Sequence, residues 1–417
     1  FWDDFSGWYL EIFKPAYGQP ADKTTIEQTK LFFEQLMLVL HPFMPFITEE
    51  IWQHLPHEGE SIVISKFPEY SEELNFVDDE KSMTLIMDAI SAVRNRRAEM
   101  NVPPSKKAIK GAYAEAKRLQ LYSDPDCKVL TRKLASLLGV SEREVIFTNG
   151  SDDVLNFAVM AFCDEKTGIV FPDITYGFYP VFAKLNNVEY EEIPLEEDFT
   201  IDKKKFFNAG KTVFIANPNA PTGIALSLSD IEEIVQNNPD NVVLIDEAYV
   251  DFGAESAVSL IHKYKNLVVT QTFSKSRSMA GARLGFAVAS EELIADLNTI
   301  KYSTNPYNIN RMTMAAGVGV MEDEEYTRKN CKKIEENREY TVDELKKLGF
   351  EVLPSKANFV FAKNSAINGK DLYLGLKSQG ILVRYFDKPR LSDFVRITIG
   401  SRKQMEALIK TLKEMLI

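Results

Sequence analysis

The chain has 417 residues, 45% of them apolar and 26% charged, which predicts two or three globular domains with sizeable cores. With 61 acidic side chains against 49 basic ones and a net charge of -12, it does not read as a nucleic-acid-coating or membrane-surface protein, since phosphate neutralisation needs clustered Lys and Arg. Three scattered cysteines (Cys127, Cys163, Cys331) allow no disulfide framework or zinc knuckle and point to a reducing, cytoplasmic setting, and neither a membrane-length apolar run nor a signal peptide is visible.

The chain opens at Phe1, in what reads as the middle of a domain. Residues 1–107 hold 18 Asp+Glu against 10 Lys+Arg, and the remainder holds 43 against 39. This acidic segment is predicted to be all-α. Residues 26–40 are dense in apolar side chains, and Leu36-Met37-Leu38-Val39-Leu40 is too continuous for a surface stripe, so burial on several sides is expected. Pro42 and Pro45 break that helix, and Thr48-Glu49-Glu50 restarts one with a cap and acids in its first turn. Met83, Ile86, Met87, Ile90 and Val93 recur at helical spacing, with Arg94, Arg96 and Arg97 near that helix's end. Asn101-Val102-Pro103-Pro104-Ser105 marks a junction, and a joining helix is expected over residues 107–122.

Beyond the junction, short β-rich runs alternate with helical segments. Strands are expected at Val145-Ile146-Phe147 and over residues 168–171, 212–216, 242–245, 267–270 and 285–289, with helices at 228–236 and 256–264 among them. Near-continuous apolar strands with intervening helices predict an α/β fold whose mostly parallel sheet is covered on both faces. A charged helix (323–348), a strand (358–362), a strand Ile381-Leu382-Val383 and a last helix (403–416) predict a smaller α+β domain. The expected domains are therefore 1–107, 108–322 and 323–417.

Ligands in open α/β sheets bind beyond the carboxyl ends of the strands, and those ends collect polar residues here. The first strand is followed by Thr148-Asn149-Gly150-Ser151-Asp152-Asp153, an anion site if a helix starts there. Later come Asn217-Pro218-Asn219-Ala220-Pro221-Thr222-Gly223, Asp246-Glu247-Ala248-Tyr249, Thr272-Phe273-Ser274-Lys275 and Gly281-Ala282-Arg283-Leu284-Gly285. Singly, an Asp can be a cap, a Lys a surface charge, an Arg an ion-pair partner and the proline turn a loop. Together they supply what pyridoxal 5'-phosphate needs: an amine to condense with its aldehyde, a carboxylate for its ring nitrogen and a pocket for its phosphate. The four histidines are too scattered for a triad, and no metal site is expected.

These strings, with Leu121-Tyr122-Ser123-Asp124-Pro125-Asp126-Cys127, Asp246-Glu247-Ala248-Tyr249-Val250-Asp251-Phe252 and Arg396-Ile397-Thr398-Ile399-Gly400, resemble the fold-type-I pyridoxal-phosphate aminotransferases of class I/II. Within that family, residues 108–417 look most like the histidinol-phosphate aminotransferases. The resemblance implies transamination between L-histidinol phosphate and 2-oxoglutarate. It implies that Lys275 holds the cofactor and moves protons, that Asp246 pairs with the ring nitrogen, and that Tyr249 bonds the ring oxygen. Gly150, Ser151, Asp152, Ser274 and Arg283 would surround the phosphate, and Tyr176 would stack on the ring. Tyr122 would reach the cofactor phosphate of a second subunit, making a homodimer part of the site. Arg396 would clamp the substrate carboxylate, while Arg384 suits either the substrate phosphate or a rim ion pair.

Two departures accompany the resemblance. The family places asparagine directly before Pro-Thr-Gly, where Ala220 stands here; Asn219 or Asn217 would have to replace it. The family's N-terminal arm is also replaced, and weakened turnover is expected. What stands in its place, residues 1–107, resembles the anticodon-binding domain of valyl-tRNA synthetase, through Phe1-Trp2-Asp3-Asp4-Phe5, Leu40-His41-Pro42-Phe43-Met44-Pro45-Phe46 and Arg94-Asn95-Arg96-Arg97. No HIGH or KMSKS signature occurs, and the acidic balance argues against independent tRNA binding. The chain thus reads as a fusion. The competing readings are an aromatic aminotransferase, a phosphothreonine decarboxylase, and an inactive chimera or tRNA-binding module.

Overall fold

A computed structural model describes residues 9–13, 15, 20–55, 57, 59–70, 72, 75–76, 79–80, 83 and 103–416. The chain divides into two compact units, Phe1–Ala89 and Ile90–Ile417. In the first, Asp22 starts α1 (Lys23–Leu40) by accepting the Thr25 N–H at 2.9 Å. The second helix, α2 (Pro45–Gln53), begins on Pro45 itself, whose missing N–H is harmless in a first turn. The restart therefore falls three residues before the expected Thr48, whose hydroxyl donates to Met44 O at 2.8 Å instead of capping. Met37 and Leu38 pack with Trp52 and Ile62, while Leu31, Phe32 and Val39 are exposed. Burial of α1 on several sides is thus corrected: among the described residues, α2 and the turn Ile62–Ile64 cover one face. The helix expected around Ile86, Met87, Ile90 and Val93, with Arg94, Arg96 and Arg97, lies outside the described residues.

In the second unit, Ser105 Oγ caps α3 (Lys106–Glu115) by accepting the Ala108 N–H at 3.2 Å. The helix tightens to a 3-10 turn at Ala116–Arg118 and stops short of the expected 122. Arg311 accounts for this, because it holds both the Glu115 carboxylate at 2.8 Å and the Tyr122 carbonyl at 3.1 Å. The chain continues through α4 (Lys128–Leu138), β1 (Val145–Thr148), α5 (Ser151–Phe162), β2 (Ile169–Pro172), α6 (Tyr179–Leu185), β3 (Tyr190–Ile193), β4 (Thr212–Ala216) and α7 (Leu228–Gln236). Then follow β5 (Val243–Asp246), β6 (Leu267–Thr272), β7 (Gly285–Ala289), α8 (Glu291–Thr304) and α9 (Arg311–Met321).

The seven strands are ordered β1-β7-β6-β5-β4-β2-β3. Strands β3, β2, β4, β5 and β6 run parallel, and β7 is antiparallel to both β6 and β1. Alternate residues enter opposite cores: Ile215, Ile245 and Val269 join one, and Phe214, Leu244 and Val268 the other. That two-sided burial is why these strands read as unbroken apolar runs. The helix expected over 256–264 is only a 3-10 turn, Ala257–Leu260. Glu247 pins its start by accepting the Ala257 N–H and the Ser256 hydroxyl, each at 2.6 Å.

Helix α3 meets α9 backbone to backbone. A Cβ on Gly111 would lie 2.5 Å from Ala315 O, and one on Gly319 would lie 2.5 Å from Lys107 O. Only residues without a side chain permit that crossing.

The rest of the unit comprises α10 (Glu324–Lys347), β8 (Phe350–Val352), β9 (Phe359–Asn364), α11 (Gly369–Ser378), β10 (Arg384–Tyr385), β11 (Phe394–Thr398) and α12 (Arg402–Met415). Its antiparallel sheet has the order β10-β11-β9-β8. Ile381-Leu382-Val383, expected as a strand, is not one. Gly380 turns left-handed at φ +75° and Ile381 N donates back to Leu376 O, so the helix's C-terminal turn consumes those residues. Arg384 consequently opens a strand rather than ending one. No helix among the described residues is long and apolar enough to cross a membrane.

Candidate active site

The carboxyl ends of β1, β4, β5 and β6 converge on one cleft, lined among others by Ser151, Asp152, Tyr176, Asp246, Tyr249 and Lys275. Its floor is built where β1 turns into α5. Gly150 makes that turn at φ +83°, and a Cβ there would lie 2.6 Å from Arg283 Nη2. No side chain caps α5, so its first N–H groups remain available, and a helix start of this kind attracts anions. Arg283, itself left-handed at φ +54°, donates from Nη2 to Asp152 Oδ2 at 2.9 Å and from Nη1 to Ser274 Oγ at 3.5 Å. Gly150, Ser151, Asp152, Ser274 and Arg283 are therefore brought together.

Asp246 ends β5 and is 4% exposed. Its Oδ2 accepts the Tyr179 hydroxyl at 3.1 Å, while its buried Oδ1 has no partner. Burial pushes its carboxyl up to about 6, against the opposing pull of the Tyr179 bond. An unpartnered buried carboxylate oxygen on a residue that lines this cleft fits a protonated ring nitrogen. Lys275, on the loop after β6, places its ammonium 5.5 Å from the centre of the Tyr249 ring. Ser276, the next residue, hydrogen-bonds Asp251 through its hydroxyl and fixes that loop. Tyr176 donates to Asp152 Oδ1 at 2.8 Å and meets Tyr179 edge-on, with centroids 5.7 Å apart. The amine, the carboxylate and the anion cradle thus share one cleft, as pyridoxal phosphate demands.

Tyr249 leads onward to the antiparallel sheet. Its ring meets Phe359 edge-on at 5.1 Å, and the Arg396 guanidinium lies 4.8 Å from the Phe359 centroid. Arg396 Nε is buried without a hydrogen-bond partner. Arg384 stands directly opposite Arg396 across β10 and β11, and both guanidinium groups lie over Phe386, at 5.3 and 5.9 Å.

Two predicted residues are placed otherwise. Asn219 spends its amide on the loop: Oδ1 accepts the Thr175 hydroxyl at 2.8 Å, and Nδ2 donates to Ile174 O at 2.9 Å and Thr222 Oγ1 at 3.1 Å. Asn217 is likewise tied to Leu226, accepting its N–H at 2.7 Å. Neither amide is free to replace the asparagine missing at Ala220, so Asn219 is corrected from a cofactor contact to a loop-holding residue. Tyr122, expected to serve a second subunit's site, is 81% exposed, lies tilted against Tyr307 with ring centroids 4.7 Å apart, and does not line its own chain's cleft. Sequence reasoning missed Tyr179, Phe359 and Phe386. Only the i, i+3 spacing of Tyr176 and Tyr179 hinted that two tyrosines share the Asp246 side of the cleft.

Comparison with known proteins agrees with this geometry. Residues 92–412 match the family aminotransferase class I and II, and residues 1–112 match the anticodon-binding domain of tRNA ligases. A histidinol-phosphate aminotransferase of Acinetobacter baumannii (strain AYE) is 49% identical over 316 residues, covering 75% of this chain and 88% of the relative. One from Clostridium botulinum (strain Kyoto / Type A2) is 45% identical over 315 residues, covering 75% and 89%. The crystal structure of the histidinol-phosphate aminotransferase from Clostridium acetobutylicum has the same fold, with a TM-score of 0.69 at 24% identity, over 76% of this chain and 97% of that one. So does the Sinorhizobium meliloti enzyme in complex with pyridoxal-5'-phosphate, with a TM-score of 0.69 at 22% identity, over 76% and 89%. With its fold, its cleft and its matched residues in agreement, the chain belongs to the class I and II aminotransferases, whose cofactor is pyridoxal 5'-phosphate.

Proposed function

We propose that this chain transfers an amino group between L-histidinol phosphate and 2-oxoglutarate. The observation that carries the reading is the Arg384–Arg396 pair. Two cations face each other across adjacent strands and share one aromatic ring, and neither forms an ion pair with a carboxylate among the described residues. Like charges so placed repel unless an anion lies between them. A phosphate monoester and a dicarboxylate both supply one, which suits a site that must accept each substrate in turn. The relatives' names agree with that choice of donor.

When bound, pyridoxal phosphate supplies an aldehyde for amine exchange and a ring that draws electrons from the substrate's Cα. The chain's own groups do the rest. The α5 N-terminus, Ser151, Ser274 and Arg283 hold the phosphate. Asp246 Oδ1 would accept a hydrogen bond from a proton-bearing ring nitrogen, Tyr249 would hydrogen-bond the ring oxygen, and Tyr176 would cover the ring face. Lys275 Nζ would act as the base that takes the proton from the substrate's Cα and as the acid that completes the 1,3-proton shift. Arg396 holds the carboxylate and Arg384 the phosphate.

On this reading residues 108–322 form the cofactor-binding body and 323–417 the substrate-binding domain. A second copy brings Tyr122, and the protein works in the cytoplasm. The helical segment 1–107 takes no part in the chemistry, and its replacement of the family's arm weakens turnover. The test is a coupled assay with histidinol phosphate and 2-oxoglutarate, run beside phosphothreonine and an aromatic amino acid. Turnover that prefers either of the latter would replace this reading.

A further inference from the structure

Arg338 lies midway along α10, away from the cleft, and is only 7% exposed. Among the described residues it forms no ion pair. Its Nη1 donates instead to two carbonyls, Phe252 O at 2.8 Å and Ala357 O at 2.7 Å. A buried cation with no carboxylate in ion-pair contact is costly; Glu335 and Glu339 favour its charge from further off, and hydrogen bonds of this charge-assisted kind offset the rest. The two carbonyls belong to different parts of the unit. Phe252 closes the turn Val250–Phe252, three residues beyond Tyr249 on the cofactor side. Ala357 stands two residues before Phe359, which opens β9 in the small domain. Gly253 admits α10 to this turn: at φ +109°, its added Cβ would lie 3.3 Å from Glu335 Oε2 and 3.5 Å from Arg338 Nη2.

One nitrogen therefore clamps the backbone beside Tyr249 to the backbone beside Phe359. Those two rings touch, and Phe359 seats Arg396. We propose that Arg338 is a positioning residue for substrate recognition, which sets the place of Arg396 against the cofactor wall by holding Phe252 O and Ala357 O together. The inference rests on Arg396 binding the substrate carboxylate. Arg338 itself touches neither substrate nor cofactor. Without it, Tyr249 keeps its place on the body, while Phe359 and Arg396 drift with the small domain. Anion binding then weakens and cofactor binding does not.

The test uses the full-length protein loaded with pyridoxal phosphate and titrated calorimetrically with succinate, a dicarboxylate that carries no amino or keto group to exchange. Binding to the unmodified protein is checked first; if succinate does not bind, the carboxylate role of Arg396 falls and this inference with it. Arg338→Met is expected to bind succinate about tenfold more weakly, with cofactor affinity changed less than about threefold. Phe359→Leu should give a similar loss, and the double variant should lose little more than either single one. Unchanged succinate affinity with only a lower Tm would make Arg338 a stabilising residue and overturn the proposal, as would additive losses. Should Arg338→Met not fold, Arg338→Lys, whose shorter stem cannot span both carbonyls as well, decides. A loss of about threefold in succinate affinity supports the proposal, and unmodified affinity overturns it.

Discussion

The Tyr179 hydroxyl donates to Asp246 Oδ2 at 3.1 Å and leaves the buried Oδ1 without a partner. One oxygen is fixed and the other is held ready, which is the arrangement a ring nitrogen needs. Asp246→Asn should retain the fold but lower turnover by about 10²–10³, since a neutral amide cannot keep that nitrogen protonated. Tyr179→Phe should act more mildly, at about tenfold, because the carboxylate survives and loses only its orientation. Single-turnover kinetics distinguish the two, and equal effects would mean that Tyr179 does more than orient.

The Gly150 turn should tolerate no side chain. Its φ of +83° strains any L-residue, and a Cβ would meet Arg283 Nη2 at 2.6 Å. Gly150→Ala is expected to lower stability by about 1–2 kcal/mol. It should also weaken pyridoxal-phosphate affinity about tenfold by displacing Arg283. Fluorescence or calorimetric titration of the cofactor reads the second effect, and inorganic phosphate should compete more weakly against the variant.

Glu247 gives a pH signature. It is 1% exposed, with its carboxylate taken by Ser256, Ala257 N and Gln271, and burial pushes it up to about 7 despite those bonds. Its folded value lies above its unfolded one, so its contribution to stability is complete below about pH 4.5 and is lost as pH rises through about 7. The Tm of unmodified protein minus that of Glu247→Gln should therefore fall between about pH 5 and pH 8. A flat difference would show that Glu247 stays ionised throughout.

The α3–α9 crossing carries a stability prediction. A methyl on Gly319 would press on the Lys107 backbone at 2.5 Å, and backbone cannot rotate away as a side chain can. Gly319→Ala should cost about 1–3 kcal/mol and should loosen α3, seen as faster amide exchange over residues 106–115. Gly281→Ala, where the added Cβ meets nothing within 4 Å, serves as the control.

How much of this was legible depended on how locally each feature is encoded. The parallel strands announced themselves because burial on both faces makes them continuous in apolar residues, and helix 228–236 was read to the residue because its Ser227 cap is local. Strand β3 was missed, since Tyr190-Glu191-Glu192-Ile193 lies half-exposed at the sheet edge and looks like a charged loop. The turn after Ser256 read as a helix because Glu247, which pins it, is distant in sequence. The residues gathered at the cleft were legible as an ordered set of strings at strand ends. Asn219 was misassigned because nothing in a sequence tells a free amide from one already spent on Thr175, Ile174 and Thr222. The seat of Arg396 on Phe359 was invisible for a related reason: it depends on β9 and β11 pairing.

In the proposed site, Lys275, Asp246 and the Gly150–Arg283 turn hold pyridoxal phosphate in one cleft. The most direct test is the visible absorption spectrum of the purified full-length protein after incubation with pyridoxal phosphate and removal of excess, beside Lys275→Ala. A band of lysine-bound cofactor is expected in the unmodified protein, lost in Lys275→Ala and discharged when histidinol phosphate is added. A protein that folds yet shows no such band, or a band that survives loss of Lys275, would contradict it.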